Sequence, residues 1–127
     1  MKILLDTHAF VFAISEPEQL SAKGRRLLAD ADNERWVSAV SLWEIAVKVS
    51  IGKLAMPTNR SYYTNHARQV QARWLPAELG HSFRMFKLPL HHKDPFDRLL
   101  AAQALDEGLT FMTRDGIFGA YNVPCVW

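Results

Sequence analysis

Short apolar runs alternate along this chain with segments of helical periodicity, and no other feature restricts the fold as much. "KILL" (Lys2–Leu5) is a continuous apolar run suited to a buried strand, and a turn and the helical "THAFVFAI" follow it. Ser21 is placed to cap a second helix through "AKGRRLLADA", and "RWVS" reads as a second strand. In "SLWEIAVKVSIGKL", Leu42, Ile45, Ala46 and Val49 recur at helical spacing, with Gly52 near the end. "KDPFDRLLAAQALDEG" has Asp94 as a cap, Pro95 at the first helical position and Gly108 as a stop. "LTFMT" then gives a strand, "IFGAY" a brief helical turn, and "PCVW" a terminal strand. Between Pro57 and Pro89 the pattern is weaker. It predicts a helix around Thr64 to Ala72, a short strand near Trp74 and Leu75, and a helix from about Ala77 to Phe86. Apolar strands separated by helices imply a parallel sheet covered on both faces.

At 127 residues, with 49% hydrophobic content, the chain suits a single domain spanning 1–127 with a substantial core. Its formal charge of +2 permits nucleic acid as a partner without pointing to one. The lone Cys125 excludes an internal disulfide and a cysteine metal cluster, and it is expected to be a buried small hydrophobe in the last strand. Asp6 and His8 interrupt the N-terminal apolar stretch, and Glu16, Pro17 and Glu18 replace the small residues of a cleavage site. No apolar run reaches membrane-spanning length, so a cytoplasmic protein without a membrane role is expected.

In open parallel sheets, function gathers at the carboxyl ends of the strands. Four acids belong to that edge on this reading. Asp6 directly follows the first strand, and Glu44 lies in the first turn of the helix after the second. Asp97 lies in the first turn of the helix before "LTFMT", and Asp115 comes two residues after that strand. Carboxylates gathered there repel one another and must take up protons unless a cation neutralises them. Mg²⁺, or alternatively Mn²⁺, suits such oxygen donors.

Each acid also has a structural explanation. "SLWE" forms a capping box in which Glu44 satisfies the Ser41 amide, and Glu44 also stands four residues before Lys48. Asp97 favours the positive end of its helix, and Asp115 sits in the turn signal "TRDG". Asp6 beside a buried strand is the hardest to explain structurally, because an unpaired charge there is costly. Thr7 and Thr113 put hydroxyls at strand ends, where they either orient a carboxylate or a metal-bound water, or fill a turn. Lys48 and Arg114 are candidate phosphate contacts or ordinary surface charges. Adjacent His91 and His92 read as a solvated loop, and Phe10 and Phe12 as core or as the wall of a partner groove. The absence of "GxxxxGK[ST]" and "GxGxxG" disfavours nucleotide cofactors.

"LLDTHAFVFAI", "SAVSLWEIAVKVSIGKL", "LPLHHKDPFDRLLAAQAL", "GLTFMTRD" and the terminal "YNVPCVW" resemble the PIN-domain ribonucleases, in that family's order. The nearest branch is the VapC-type toxins of toxin–antitoxin pairs. The resemblance implies a three-layer α/β/α sandwich with a five-stranded parallel sheet. It also implies an acidic pocket of Asp6, Glu44, Asp97 and Asp115 supported by Thr113, a homodimer, and a small antitoxin that covers the pocket. The implied activity is Mg²⁺-dependent endonucleolytic cleavage of RNA. Asp6, Asp97 and Asp115 would hold the principal ion, with Glu44 completing its water shell, positioning the attacking water, or sharing a second ion. Two other readings compete with it. One is a catalytically idle PIN fold that only binds protein; the other is a phospho-accepting receiver-like domain. The latter would want a pair of acids after the first strand and a lysine after the last, and this chain has neither.

Overall fold

The computed structural model describes residues 1–127. Its strands are β1 (Lys2–Leu5), β2 (Glu34–Ser38), β3 (Ala72–Leu75), β4 (Thr110–Met112) and β5 (Cys125–Val126). All pair in parallel in the order β3-β2-β1-β4-β5. The helices are α1 (Thr7–Ser15), α2 (Ala22–Ala29), α3 (Ala39–Ser50), α4 (Arg60–Gln69), α5 (Leu79–Met85) and α6 (Pro95–Glu107), with 3-10 turns at Pro17–Gln19 and Gly116–Tyr121.

Alternation along the strands divides the interior into two cores, one on each face of the sheet. Ile3, Leu5, Val37 and Met112 pack with Ala9 and Phe10 of α1, Ile45 of α3, and Tyr63 and Ala67 of α4. Leu4 and Phe111 face the other way, against Leu100, Ala101 and Ala104 of α6 and against Phe118 and Tyr121. The result is the expected α/β/α sandwich around a five-stranded parallel sheet. Burial of Ile3, Leu4 and Leu5 is essentially complete and contributes about 1.5–3 kcal/mol for each side chain. That anchors β1 at the sheet centre and fixes where Asp6 emerges.

The strand order sets the position of the site. Successive connections from β1 move outward through β2 to β3, and the chain then crosses back to place β4 on the other side of β1. The order therefore reverses between β1 and β4, and a crevice opens at their carboxyl ends.

Local chemistry explains the element ends. Asp94 accepts hydrogen bonds from the backbone N–H of Phe96 (2.8 Å) and Asp97 (3.1 Å), Pro95 opens α6, and Gly108 closes it at φ +65. Ser21 caps α2 by accepting from Gly24 N–H at 2.8 Å. The start of α3 differs from expectation. Ser38 ends β2 and also caps α3 through Val40 N–H (2.9 Å), so no loop intervenes and Ser41 is not the cap. Ser41 is instead buried inside the helix, and Glu44 lies beyond the first turn. The helix predicted over Thr64 to Ala72 runs from Arg60 to Gln69, because Gln71 turns left-handed (φ 55) and β3 begins at once. The later helix is shorter than expected, from Leu79 to Met85. Cys125 is exposed rather than buried, since β5 is a two-residue edge strand paired only with β4.

A buried polar chain ties the layers beside the sheet edge. Ser38 Oγ donates to Gln103 Oε1 (2.5 Å), and Gln103 Nε2 donates to the carbonyl of Pro76 (3.2 Å). Gln103 is fully buried in α6. Gln103→Ala strands the Ser38 hydroxyl and is expected to cost about 1–3 kcal/mol in urea denaturation. An unchanged unfolding midpoint would show that this chain of hydrogen bonds contributes nothing.

Candidate active site

Asp6 follows β1 immediately and caps α1, its Oδ1 accepting from Ala9 N–H at 2.7 Å. Burial raises its pKa; the Ala9 amide, the Thr113 hydroxyl and His8 oppose the rise, and Glu44 adds to it. Thr113 lies one residue past β4 and accepts from Asp115 N–H at 3.1 Å. Asp115 Oδ1 accepts from Ile117 N–H at 3.1 Å, which opens the final 3-10 turn. These caps hold Oδ1 of each aspartate against backbone.

Glu44, free of the capping role, turns inward and is 2% exposed. The Thr7 hydroxyl donates to its Oε1 (2.5 Å) and lies 3.2 Å from the Ser41 hydroxyl. Its Oε2 takes the Lys48 ammonium at 2.5 Å, one helical turn on. Burial works against the charge of Lys48, but Glu44, then Asp94 and Asp97, hold its pKa above the ordinary value. Lys48 thus stands as the counter-ion of Glu44 in this structure.

Asp97 completes the group from the first turn of α6. Burial pushes its carboxyl up to about 7; Asp94 and Glu44 push the same way, His92 opposes them, and Asp6 adds to the rise. His92 Nε2 stands 3.3 Å from Asp97 Oδ2 and 3.3 Å from Asp115 Oδ2, so one imidazole spans two acids. Its Nδ1 accepts from Asp94 N–H (3.0 Å), which leaves the proton on Nε2, facing the carboxylates. The ring stacks on Phe118 with centroids 5.6 Å apart, and the His92 N–H donates to the Tyr121 hydroxyl at 2.7 Å. The expected solvated loop is therefore an anchored one.

The four acids expected at the carboxyl edge are gathered there, with Asp94 adding a fifth charge to the field. Their oxygens have the chemistry for a hard divalent cation. As the side chains stand, no three His, Cys, Asp or Glu residues are grouped to grip an ion, and the nearby positive charges are those of Lys48 and, when protonated, His92.

The profile of the PIN domain family matches residues 3–123. The chain belongs to the PIN domain family. Among solved structures, this PIN domain is similar to a chain of VapBC2 from Rickettsia felis bound to a promoter DNA fragment. The two share 19% identity with a TM-score of 0.72, covering 99% of this chain and 98% of the other. It is also similar to a chain of DNA-bound VapBC from Salmonella typhimurium, with 15% identity, TM-score 0.70, and 99% and 97% covered. A chain of FitAcB from Neisseria gonorrhoeae gives 22% identity, TM-score 0.62, and 98% and 96% covered. The comparison with curated proteins returned no match.

Elsewhere in the PIN domain, Arg114 lies over the rings of Phe12 (5.4 Å to the centroid) and Trp127 (5.8 Å). Phe10 is fully buried and lines no surface. An apolar groove of about 930 Å³ opens between α3 and α4 instead, walled by Leu42, Ala46, Val49, Tyr63 and Trp74 among others. No helix is long and apolar enough to cross a membrane. The roles of His92 and Asp94 in the acid cluster were missed from sequence. "HHKDP" does hold the signal that a histidine two residues before a cap can accept from the cap's N–H, but not which of the two turns inward.

The Asp97 carboxyl has a consequence for stability. The folded chain keeps its proton up to about pH 7, whereas the ordinary value is 3.8. Between those values the folded state binds more protons, so this group's contribution falls as pH rises from about 4 toward 7. Asp97→Asn in EDTA is expected to exceed the parent chain in stability by about 1–3 kcal/mol at pH 8, the gap closing toward pH 4. Parallel stability–pH curves would contradict the assignment.

Proposed function

We propose that this PIN domain is a Mg²⁺-dependent endoribonuclease acting as the toxin of a toxin–antitoxin pair. The observation that carries the reading is the convergence of Asp6, Glu44, Asp97 and Asp115 on the crevice between β1 and β4 of a PIN fold, where burial and then the neighbouring acids Asp94 and Glu44 push the Asp97 carboxyl up to about 7. Asp6, Asp97 and Asp115 would hold the ion, with Mn²⁺ an alternative occupant. When bound, such an ion offsets the charge of a phosphodiester and makes a coordinated water more acidic.

The chain's own groups supply the rest. Glu44, fixed through Oε1 by Thr7, orients the attacking water. Thr113 braces Asp6 and the Asp115 backbone, keeping both carboxylates on the crevice. Water attacks phosphorus in line, the bond to the 3′ oxygen breaks, and a proton passes to that oxygen. The products carry 5′-phosphate and 3′-hydroxyl ends. Arg114 takes a neighbouring phosphate, and Lys48 joins it when it leaves Glu44.

A solved VapBC-5 from Mycobacterium tuberculosis, similar to this chain at 21% identity with a TM-score of 0.59, is a member of a family of toxin–antitoxin systems, and the α3–α4 groove suits an antitoxin segment with apolar anchors. One helix serves both surfaces, since α3 lines the groove with Leu42, Ala46 and Val49 and turns Glu44 and Lys48 to the acids. A partner seated there would abut the site. The exposed Leu79, Phe83, Phe86 and Leu90 offer an apolar face that a homodimer would cover.

A catalytically idle, protein-binding PIN fold is the second reading, favoured by the Lys48 ion pair that occupies Glu44 and by the His92 edge set against Asp97 and Asp115. The receiver-like alternative does not fit the strand order, because that fold runs 2-1-3-4-5. RNA cleavage in Mg²⁺ by the purified chain separates the first two. Asp6→Asn is expected to lower the rate by at least about 100-fold, and fragment ends should be 5′-phosphate and 3′-hydroxyl. Cleavage by Asp6→Asn at the parent rate would overturn the site assignment. Expression alone should arrest growth, and Asp97→Asn should relieve the arrest; unimpaired growth with the parent chain would contradict the toxin role.

A further inference from the structure

Arg114 is separated from the acid cluster by the company it keeps. It lies between Thr113 and Asp115, yet none of the chain's ion pairs uses it. Its guanidinium is held by two aromatic rings, 5.4 Å from the centroid of Phe12 and 5.8 Å from that of Trp127. The rings meet edge to face at 6.4 Å and 68°, and His8 lies 6.2 Å from Phe12. Phe12 and Trp127 are themselves fixed, because both pack partly against the core under α1.

The sheet register explains why this group sits at the crevice. Leu5, Met112 and Val126 are aligned across β1, β4 and β5. The next residue on each chain segment is therefore Asp6, Thr113 and Trp127, side by side along the carboxyl edge. An acid of the cluster and the indole thus belong to one row, and α1 carries Phe12 up beside it.

Aromatic rings hold a guanidinium flat without neutralising it. A carboxylate partner, such as Glu44 for Lys48, consumes the charge instead. Arg114 is therefore a pre-positioned and exposed cation with unsatisfied N–H donors, framed by ring surface. That combination matches one nucleotide of an unpaired strand, with phosphate on the guanidinium and base on the rings. A base inside a duplex is already stacked and cannot use it.

We propose that Arg114, Phe12 and Trp127 form a nucleotide subsite beside the acid cluster, which receives the nucleotide next to the cleaved bond from an unpaired stretch of RNA. This rests on the endoribonuclease reading and adds to it which residues grip the strand and in what conformation.

The test uses the full chain with Asp97→Asn to prevent cleavage, and a short fluorescein-labelled RNA of mixed sequence, alone or annealed to its complement. The single strand is expected to bind more tightly than the duplex. Arg114→Ala is exposed and leaves the core untouched. It should weaken single-strand binding about tenfold and reduce the slope of log K against log salt by about 0.7, the value for one lost phosphate contact. Trp127→Ala and Phe12→Leu, checked for folding by thermal melting, should weaken binding by roughly fivefold to a hundredfold with the slope unchanged. In the cleaving chain, Arg114→Ala should raise KM more than it lowers kcat.

Equal affinity and equal slope for Arg114→Ala, or equal losses on single strand and duplex, would overturn the subsite. If the parent chain cuts RNA in Mg²⁺ while Arg114→Ala behaves identically, the subsite alone fails. If the parent chain neither binds nor cuts RNA, the endoribonuclease reading fails and the subsite with it.

Discussion

Carboxylates gathered where water is scarce lose hydration and repel one another, and much of the structure around the β1–β4 crevice can be understood as a response to those two costs. Asp97 responds by holding a proton up to about pH 7. Glu44 responds by drawing in Lys48, and Asp97 and Asp115 share the Nε2 edge of His92. Asp6 is relieved by the Ala9 amide and the Thr113 hydroxyl. A fold under no functional constraint reduces such strain most simply by replacing an acid with a neutral side chain. Five acids share this crevice here, fixed by backbone or side-chain hydrogen bonds or by a neighbouring cation, and the proposed cation site rests on that grouping.

The same architecture explains how distant segments deliver these groups with so little machinery. Three acids sit at element junctions: Asp6 between β1 and α1, Asp115 between β4 and the last 3-10 turn, and Asp97 behind the cap of α6. Each junction is closed by a side-chain cap, so helix termination and site construction use the same residues. Glu44 is the exception, reaching the crevice from within α3 through the Thr7 hydroxyl. The buried Ser38–Gln103 hydrogen bond ties the start of that helix to α6, so Glu44 and Asp97 are carried on helices joined by a polar contact as well as by packing.

Features whose cause is local were legible in the sequence. The cap, proline and glycine of α6 are three short-range signals that agree, and the helix obeys them. Buried strands announced themselves as apolar runs, and the acids as charges next to them. Where two local signals competed, tertiary contacts decided. Ser38 and Ser41 are both competent caps, and Ser38 won because β2 ends there and its hydroxyl is also held by Gln103. The inward turn of His92 depends on Phe118 and Tyr121, more than twenty residues away in sequence, and no spacing rule reports such a contact. The aromatic seat of Arg114 likewise joins α1 to the residue after β5. The family match over residues 3–123 accounts for the fold, while these contacts emerge only from the folded chain.

The central claim is that the crevice is over-charged until a divalent cation enters it. Site-resolved ¹³C NMR titration of the Asp97 carboxyl, in EDTA and again in saturating Mg²⁺, tests that claim most directly. The account predicts a midpoint near 7 without metal and a fall of at least about two pH units with it. A midpoint at the ordinary aspartate value in EDTA, or one that Mg²⁺ leaves in place, would contradict it.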